Sequence, residues 1–522
     1  MIRFLNKGSS IFYLLIILII LILTPFIYGS LLSNDKIGTF TGLYSMYSGE
    51  IFYYMALGPT QVEDGFFFFE DRFNRVGEGY YFINIIGVFI HLISIIFQTD
   101  YTISFLIYKI VCSLFLVFFL HKIFIKINLE NISIFLGLVL ALFTSGMSGW
   151  VNNYFAWDNV PEMNIMISLT TEYYLPAALC MFVVSLFYLY NLIENPTKKN
   201  AIKTGIAFLI LGLVYIYSFL MLLTFCTLYF LYLHFVTKSK IYFNAILILI
   251  ISSPVIIYYV WLFLFKLDDN GREDGWIDGP TSFEYLLTFF PQLVLLLVFI
   301  FIVKAKFLNN RLITFSLAYI VFQFLISRFS SQYFSIVIQS YVGLSLMMII
   351  VIIALTKYIQ ISKLNKVLLF LFVMLSSYSN LKVMQSLLTS IKSKDYPTFI
   401  TKDEMLVYEF INKNIAPRSK VCVCNEKARI LAYYTRMFVT YDVIPDYQTG
   451  TNKKRWEALN TTRIIRENET IFNDLLLENY DYLMFDKKHP KCGINPVIYK
   501  RIKSLSTRLY INENFELLHL KK

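Results

Sequence analysis

Glu50 is a residue whose type and setting could do chemistry. It sits in Ser48-Gly49-Glu50-Ile51-Phe52-Tyr53-Tyr54-Met55-Ala56, directly before an aromatic stretch with helical character. A carboxylate held at a membrane surface can deprotonate a hydroxyl nucleophile or hold a divalent cation. A solvated loop acid is the plainer reading, and it applies also to Glu63-Asp64 and to Glu70-Asp71. Lys109 is the one clear charge well inside an apolar run. It lies about eight residues from the end of that run, about 12 Å along a helix at ~1.5 Å per residue. Its ammonium can snorkel to the surface or bind an anionic headgroup. Arg328, in Ile326-Ser327-Arg328-Phe329, ends another apolar run. A guanidinium there can stabilise a phosphate leaving group or simply anchor the span.

Other chemistries find no support. There is no Gly-rich nucleotide loop of either common type. His91, His121, His234, His489 and His519 are scattered, without metal-ligand spacing. Cys422 and Cys424 share a face of a short strand and read as core, with a bridge from either to Cys492 as the alternative in an oxidising compartment. Trp150, Trp157 and Tyr173-Tyr174 flank span ends as an aromatic belt. Two glycosylation triplets, beginning at Asn460 and Asn468, matter only in a eukaryotic secretory setting.

The elements that must position these residues are mostly membrane helices. Of 522 residues, 57% are hydrophobic and only 16% charged, against about a quarter charged in an ordinary soluble domain. A crossing needs about 20 apolar residues. Runs at 10–30, 103–120, 172–192, 243–265, 284–303 and 333–356 meet or approach that, with shorter candidates at 131–146, 311–327 and 366–382. The run 204–236 is too long for one span and divides near Tyr217-Ser218. Segment 80–97 decides the register. Taken as a helix lying at the outer surface, it leaves the cytoplasmic loops with Lys122, Lys126, Lys198, Lys199, Lys203, Lys304, Lys306 and Lys357. Lys and Arg are enriched on that side, so this arrangement is preferred. It predicts about 11 transmembrane helices, a cytoplasmic N-terminus and an extracytoplasmic C-terminus. The net charge of +11 is then a mark of orientation rather than of nucleic-acid binding.

Two parts stand out from this polytopic α-helical membrane plan. Within the transmembrane domain 1–390, the first outer loop, 31–100, is long and acidic. Residues 395–522 then form a small C-terminal α/β soluble domain. Its apolar spacing predicts helices at 402–414, 426–434 and 453–479, and strands at 419–424, 437–441 and 480–485.

This layout resembles the GT-C class of integral-membrane glycosyltransferases, in the bacterial group related to protein mannosyltransferases and aminoarabinose transferases. The resemblance covers most of the chain as a layout with local patterns. An acid followed by two tyrosines and small apolar residues stands at Glu50-Ile51-Phe52-Tyr53-Tyr54-Met55-Ala56. A surface helix follows at 80–97, and a basic residue, Lys109, stands early in span 2. The tail repeats the pattern of helix 402–414, strand 420–424, a Tyr434-Thr435-Arg436 turn and a strand at Asn479-Tyr480-Asp481-Tyr482-Leu483.

The resemblance implies an enzyme that moves a hexosyl or pentosyl unit from a polyprenyl-phosphate donor to a glycan, lipid or protein acceptor. Transfer would occur at the outer face, in a bacterial inner membrane. Glu50 would be base or metal ligand, with Glu70 and Asp71 in reserve. Tyr53, Tyr54, Lys109 and Arg328 would bind the donor. The family's acid is more often Asp, and Gly49 stands where a second acid could, so a Mg or Mn cofactor stays open. The competing classes are an O-antigen polymerase or ligase, a lipid-linked oligosaccharide transporter, and a membrane scaffold. A transporter should carry repeated halves and buried charges, and a polymerase or ligase should carry its large loop between late spans.

Overall fold

A computed structural model describes residues 9–33, 38–44, 50–64, 69–70, 79–80, 84–144, 165–237, 242–265, 289–308, 310–330, 343–358, 373, 377–393, 398–423, 425–439, 480–487, 500 and 502–520. Along the chain, α1 (Ser9–Leu32) leads to β1 (Thr39–Phe40) and α2 (Glu50–Asp64). The pair β2 (Phe69–Glu70) and β3 (Gly79–Tyr80) precedes α3 (Ile85–Phe97). Then come α4 (Tyr101–Lys126), α5 (Asn131–Phe143), α6 (Ile165–Thr171), α7 (Leu175–Glu194), α8 (Lys198–Val214), α9 (Ile216–Thr237) and α10 (Tyr242–Phe265). Four further helices are α11 (Phe290–Val303), α12 (Arg311–Ser330), α13 (Leu344–Thr356) and α14 (Tyr378–Ser393). The tail holds β4 (Phe399–Ile400), α15 (Lys402–Asn414), β5 (Lys420–Cys422), α16 (Asn425–Tyr434), β6 (Phe438–Val439), β7 (Tyr482–Asp486), β8 (Ser506–Ile511) and β9 (Phe515–Leu520).

The chain forms two compact units. The first comprises Met1–Pro25, Phe105–Tyr259 and Trp276–Thr389. The second comprises Phe26–Ser104, Val260–Gly275 and Ser390–Lys522.

The first unit is a bundle of apolar helices around α13. All 13 residues of α13 are buried, and a helix apolar on every side is stable only where each side meets protein or lipid; apart from Ser345 and Thr356 its residues are apolar. The helices α5, α11 and α12 pack on it. Gly137 lets α5 close in, since a Cβ there would lie 2.9 Å from the Phe124 ring and 3.1 Å from Ile353. Among the described residues, five helices, α1, α4, α7, α9 and α10, are long and apolar enough to cross a membrane, and five more apolar helices are shorter. The protein is therefore an integral membrane protein.

The long run at 204–236 does divide, but at Tyr215. The first piece starts early, at Lys198, behind a Thr197 cap whose hydroxyl accepts the Asn200 N–H. The helix predicted over 366–382 lies largely outside the described residues, and the helix that is described starts at Tyr378.

The second unit holds a five-stranded sheet in the order β6-β5-β7-β9-β8. Strand β5 runs parallel to β6 and β7, and β9 is antiparallel to β7 and β8. The β8–β9 hairpin closes on Asn512, whose side-chain carbonyl accepts the N–H groups of Asn514 and Phe515. Inside the fold, the Glu404 carboxylate accepts from Lys427 Nζ at 2.7 Å and from the Tyr408 hydroxyl. Lys427 also lies 3.5 Å from Asp486. Pairing and hydrogen bonding keep these buried charges tolerable.

Chain-distant pairing joins the first loop to the tail. Thr39 pairs with Ile400 and Phe40 with Phe399, antiparallel. The Thr41 N–H and hydroxyl then both donate to the Thr398 carbonyl. Gly38 makes the approach possible. It has φ +131°, and a Cβ there would stand 2.5 Å from the Ile400 carbonyl oxygen.

Candidate functional site

The sequence-selected residues fall into both units. Glu50 opens α2, with Tyr53 and Tyr54 in its first turns. Glu70 ends β2, where its backbone pairs with Gly79. These belong to the second unit, and Lys109 on α4 and Arg328 near the end of α12 belong to the first. The side chains of Glu50, Tyr53, Tyr54, Glu70 and Arg328, and all of Asp71, lie outside the described residues. So do Cys424, Cys492, the predicted helix 453–479 and both glycosylation triplets.

Helix α2 is held from two sides. It packs on α3, where a Cβ at Gly58 would come 2.9 Å from the Gly87 backbone. It packs on α16 as well, with the Phe52 and Tyr433 rings edge-to-face at 5.5 Å. Asn84 caps α3 by accepting the Gly87 N–H at 3.0 Å. With 13 residues, α3 is about 20 Å long, too short for a bilayer core of about 30 Å. It buries Ile86, Ile90 and Ile93 and exposes Phe89, Leu92, Ile95 and Ile96. That is a helix packed on protein by one side and apolar on the other.

Lys109 is fully buried, so the snorkelling reading fails. Its ammonium donates to the Thr170 carbonyl at 2.8 Å and lies 4.7 Å from the centre of the Phe105 ring. The Glu172 carboxylate is within electrostatic range. Thr170 is in the last turn of α6, where carbonyls lack helical partners and a cation is favoured. Its neighbour Tyr108 does the converse for α7. The Tyr108 hydroxyl donates to the Tyr173 carbonyl at 2.8 Å and accepts the Ala177 N–H at 3.2 Å. Adjacent residues of α4 thus satisfy the end of one helix and the start of the next. Tyr108 went unnoticed in the sequence, although a phenol beside a lysine in an apolar run signals buried partners.

The second unit also contains a cavity of about 880 Å³. Its walls come from the end of α1, β1, α2, α3, the start of α4, the end of α15 and the Tyr434-Thr435-Arg436 turn. The Thr102 and Tyr433 hydroxyls, 331 residues apart, meet there at 3.0 Å. Burial pushes the Tyr433 phenol up to about 12; the Thr102 hydroxyl pulls it down and the Asp100 carboxylate adds to the rise. Among the described residues, no group of three or more His, Cys, Asp and Glu side chains could hold a metal ion.

Comparison with solved structures identifies this architecture. The oligosaccharyltransferase of Archaeoglobus fulgidus, solved in complex with Zn and sulfate, matches with TM-score 0.54 and 12% identity over 90% of this chain and 67% of that one. ArnT from Cupriavidus metallidurans, bound to undecaprenyl phosphate, matches with TM-score 0.52 and 9% identity over 98% of each chain. The arabinofuranosyltransferase AftD from Mycobacteria gives 0.55 and 10% over 97% of this chain and 40% of its own. No family model and no curated protein sequence matches the chain. The fold is that of the GT-C glycosyltransferases. The resemblance drawn from the acid–tyrosine motif and the span layout is borne out at the level of fold.

Proposed function

We propose that this protein is a glycosyltransferase that moves a sugar from a polyprenyl-phosphate donor to an acceptor at the outer face of the membrane. The observation that carries this is the conjunction of a GT-C fold with the acid–aromatic motif at the start of α2. The solved neighbours include complexes with dolichol-phosphate, undecaprenyl phosphate and an acceptor peptide, each a property of its own protein. A polyprenyl-phosphate donor brings its own anchor, so a soluble nucleotide-sugar pocket is not required.

In this mechanism Glu50 takes the proton from the acceptor hydroxyl as that oxygen attacks the anomeric carbon. The bond from carbon to phosphate oxygen breaks, the configuration inverts, and polyprenyl phosphate leaves with the electron pair. Arg328 balances the phosphate charge. Tyr53 and Tyr54, one turn on from Glu50, contact the donor sugar. Glu70 and Asp71 stand in reserve as acids of the same loop. Should a divalent cation take part, Glu50 with Glu70 or Asp71 would hold it, and it would draw charge from the leaving phosphate. Lys109 acts as a positioning residue, since its ammonium is engaged by Thr170.

The test is Glu50→Gln in membranes supplied with polyprenyl-phosphate sugars. A positioned general base contributes about 10²–10⁴ in rate, so transfer should fall by about that factor while the protein stays folded. Unaltered transfer removes Glu50 from the base role.

A further inference from the structure

The folded tail supplies no group to the transfer step, yet it grips the helix that Glu50 opens. The grip starts on one face of α15. Glu404, Tyr408 and Asn412 stand four residues apart and so line up along that face. The Glu404 carboxylate pairs with Lys427 at 2.7 Å, near the start of α16. The Tyr408 ring stacks on the ring of Tyr434, the last residue of α16, at 5.7 Å. The Asn412 amide donates to the Tyr434 carbonyl at 2.8 Å. Helix α16 is thus fastened at both ends. Helix α15 is fastened in turn to the β8–β9 hairpin. The Asn512 amide donates to the Asp403 carbonyl at 2.8 Å and the Asn514 amide to the Asp403 carboxylate at 2.7 Å.

What α16 presents to α2 is Tyr433. Its ring meets Phe52 edge-to-face at 5.5 Å, and Phe52 is buried in the first turn of α2, two residues after Glu50. The Tyr433 and Thr102 hydroxyls share a hydrogen bond of 3.0 Å at the start of α4. We propose that Tyr433 is a positioning residue for sugar transfer: the tail, through Tyr433 and the Glu404–Lys427 pair behind it, fixes the first turn of α2 and with it the backbone of Glu50. This role rests on the reading of Glu50 as the base.

The first turn is where such support counts. Its N–H groups lack helical partners, and helix ends fray. The α3 contact at Gly58 lies eight residues from Glu50 and steadies the other half of the helix. A base must reach its proton within about 2.6–3.2 Å, and a misplacement of about 1 Å can cost about a hundredfold in rate. A buried ion pair suits the task behind Tyr433. Apolar side chains of similar volume are often as stable, so what the pair adds is a single arrangement of α16 on α15. Lys427 also lies 3.5 Å from Asp486 on β7 and 5.1 Å from the centre of the Phe515 ring on β9, which gives the start of α16 one seat.

The test uses the full chain in lipid nanodiscs and two readouts. Hydrogen exchange read by mass spectrometry follows the amides of α2 without any reaction. Loss of the ring in Tyr433→Leu should speed their exchange at least about fivefold. In the transfer assay, kcat should fall at least about tenfold in Tyr433→Leu, with the KM for the polyprenyl-phosphate sugar changed less than about threefold. Tyr433→Phe keeps the ring and should lie nearer the natural protein in both readouts. Added to Glu50→Gln, Tyr433→Leu should cost less than about twofold more, because both changes act through one group. A merely structural tyrosine would lower both backgrounds equally. If Tyr433→Leu does not fold, Phe52→Leu, which removes the other ring of the pair, replaces it with the same criteria. Unchanged exchange in α2, an unchanged kcat, equal losses in the two backgrounds, or a Tyr433→Phe as impaired as Tyr433→Leu each overturns the positioning role. If Glu50→Gln alone leaves transfer unaltered, the base reading fails and takes this role with it. Unchanged exchange beside an impaired Glu50→Gln overturns the positioning role alone.

Discussion

At the scale of single residues, two adjacent buried side chains of α4, Tyr108 and Lys109, serve the ends of neighbouring helices. The Lys109 ammonium, inside an apolar helix, replaces water at the end of α6. Lys109→Met would leave the Thr170 carbonyl without that donor, which costs about 1–3 kcal/mol for a buried group. The expected outcome is a lower unfolding temperature in detergent, lowered further in Lys109→Met/Tyr108→Phe, which also removes the hydroxyl that serves the Tyr173 carbonyl and the Ala177 N–H. Tyr433 gives a pH signature. Its phenol holds its proton up to about 12 in the folded state, against about 10 in the unfolded chain. Between those values only the unfolded state has lost the proton, so the stabilisation present below pH ~10 disappears as pH rises through 12. The melting temperature should therefore fall more steeply above pH 10 in the natural protein than in Tyr433→Phe.

At the scale of elements, close backbone approach decides where the first loop goes. Helices α2 and α3 meet through Gly58 and Gly87. Gly58→Val should cost about 1–3 kcal/mol by forcing them apart, read as a drop in melting temperature. Much of this level was legible in the sequence. The apolar runs at 10–30 and 243–265 became α1 and α10, and the 402–414 periodicity became α15, because local pattern suffices to define such helices. The outer-surface assignment of 80–97 corresponds to a helix too short to cross, Ile85–Phe97. The β8–β9 hairpin went unread, because its turn, Asn512-Glu513-Asn514, lacks the usual Asn-Gly signal. The β1–β4 pair and the cavity were out of reach for another reason. Their partners lie more than three hundred residues apart, and only packing brings Thr102 to Tyr433. The acid and its tyrosines are a motif of the sequence alone, their side chains lying outside the described residues, whereas the Thr170 partner of Lys109 emerges only from packing.

At the scale of the whole molecule, a GT-C fold with an acid at the head of α2 is the basis for proposing sugar transfer from a lipid phosphate. The low share of charged residues, 16%, leaves few side chains able to do that chemistry. The most direct measurement is release of free polyprenyl phosphate by the purified protein in proteoliposomes loaded with polyprenyl-phosphate sugars and a glycan-lipid extract. The account predicts release by the natural protein in step with sugar transfer, and release at least about a hundredfold slower in Glu50→Gln. No release from any polyprenyl-phosphate sugar, or equal release by Glu50→Gln, would contradict it.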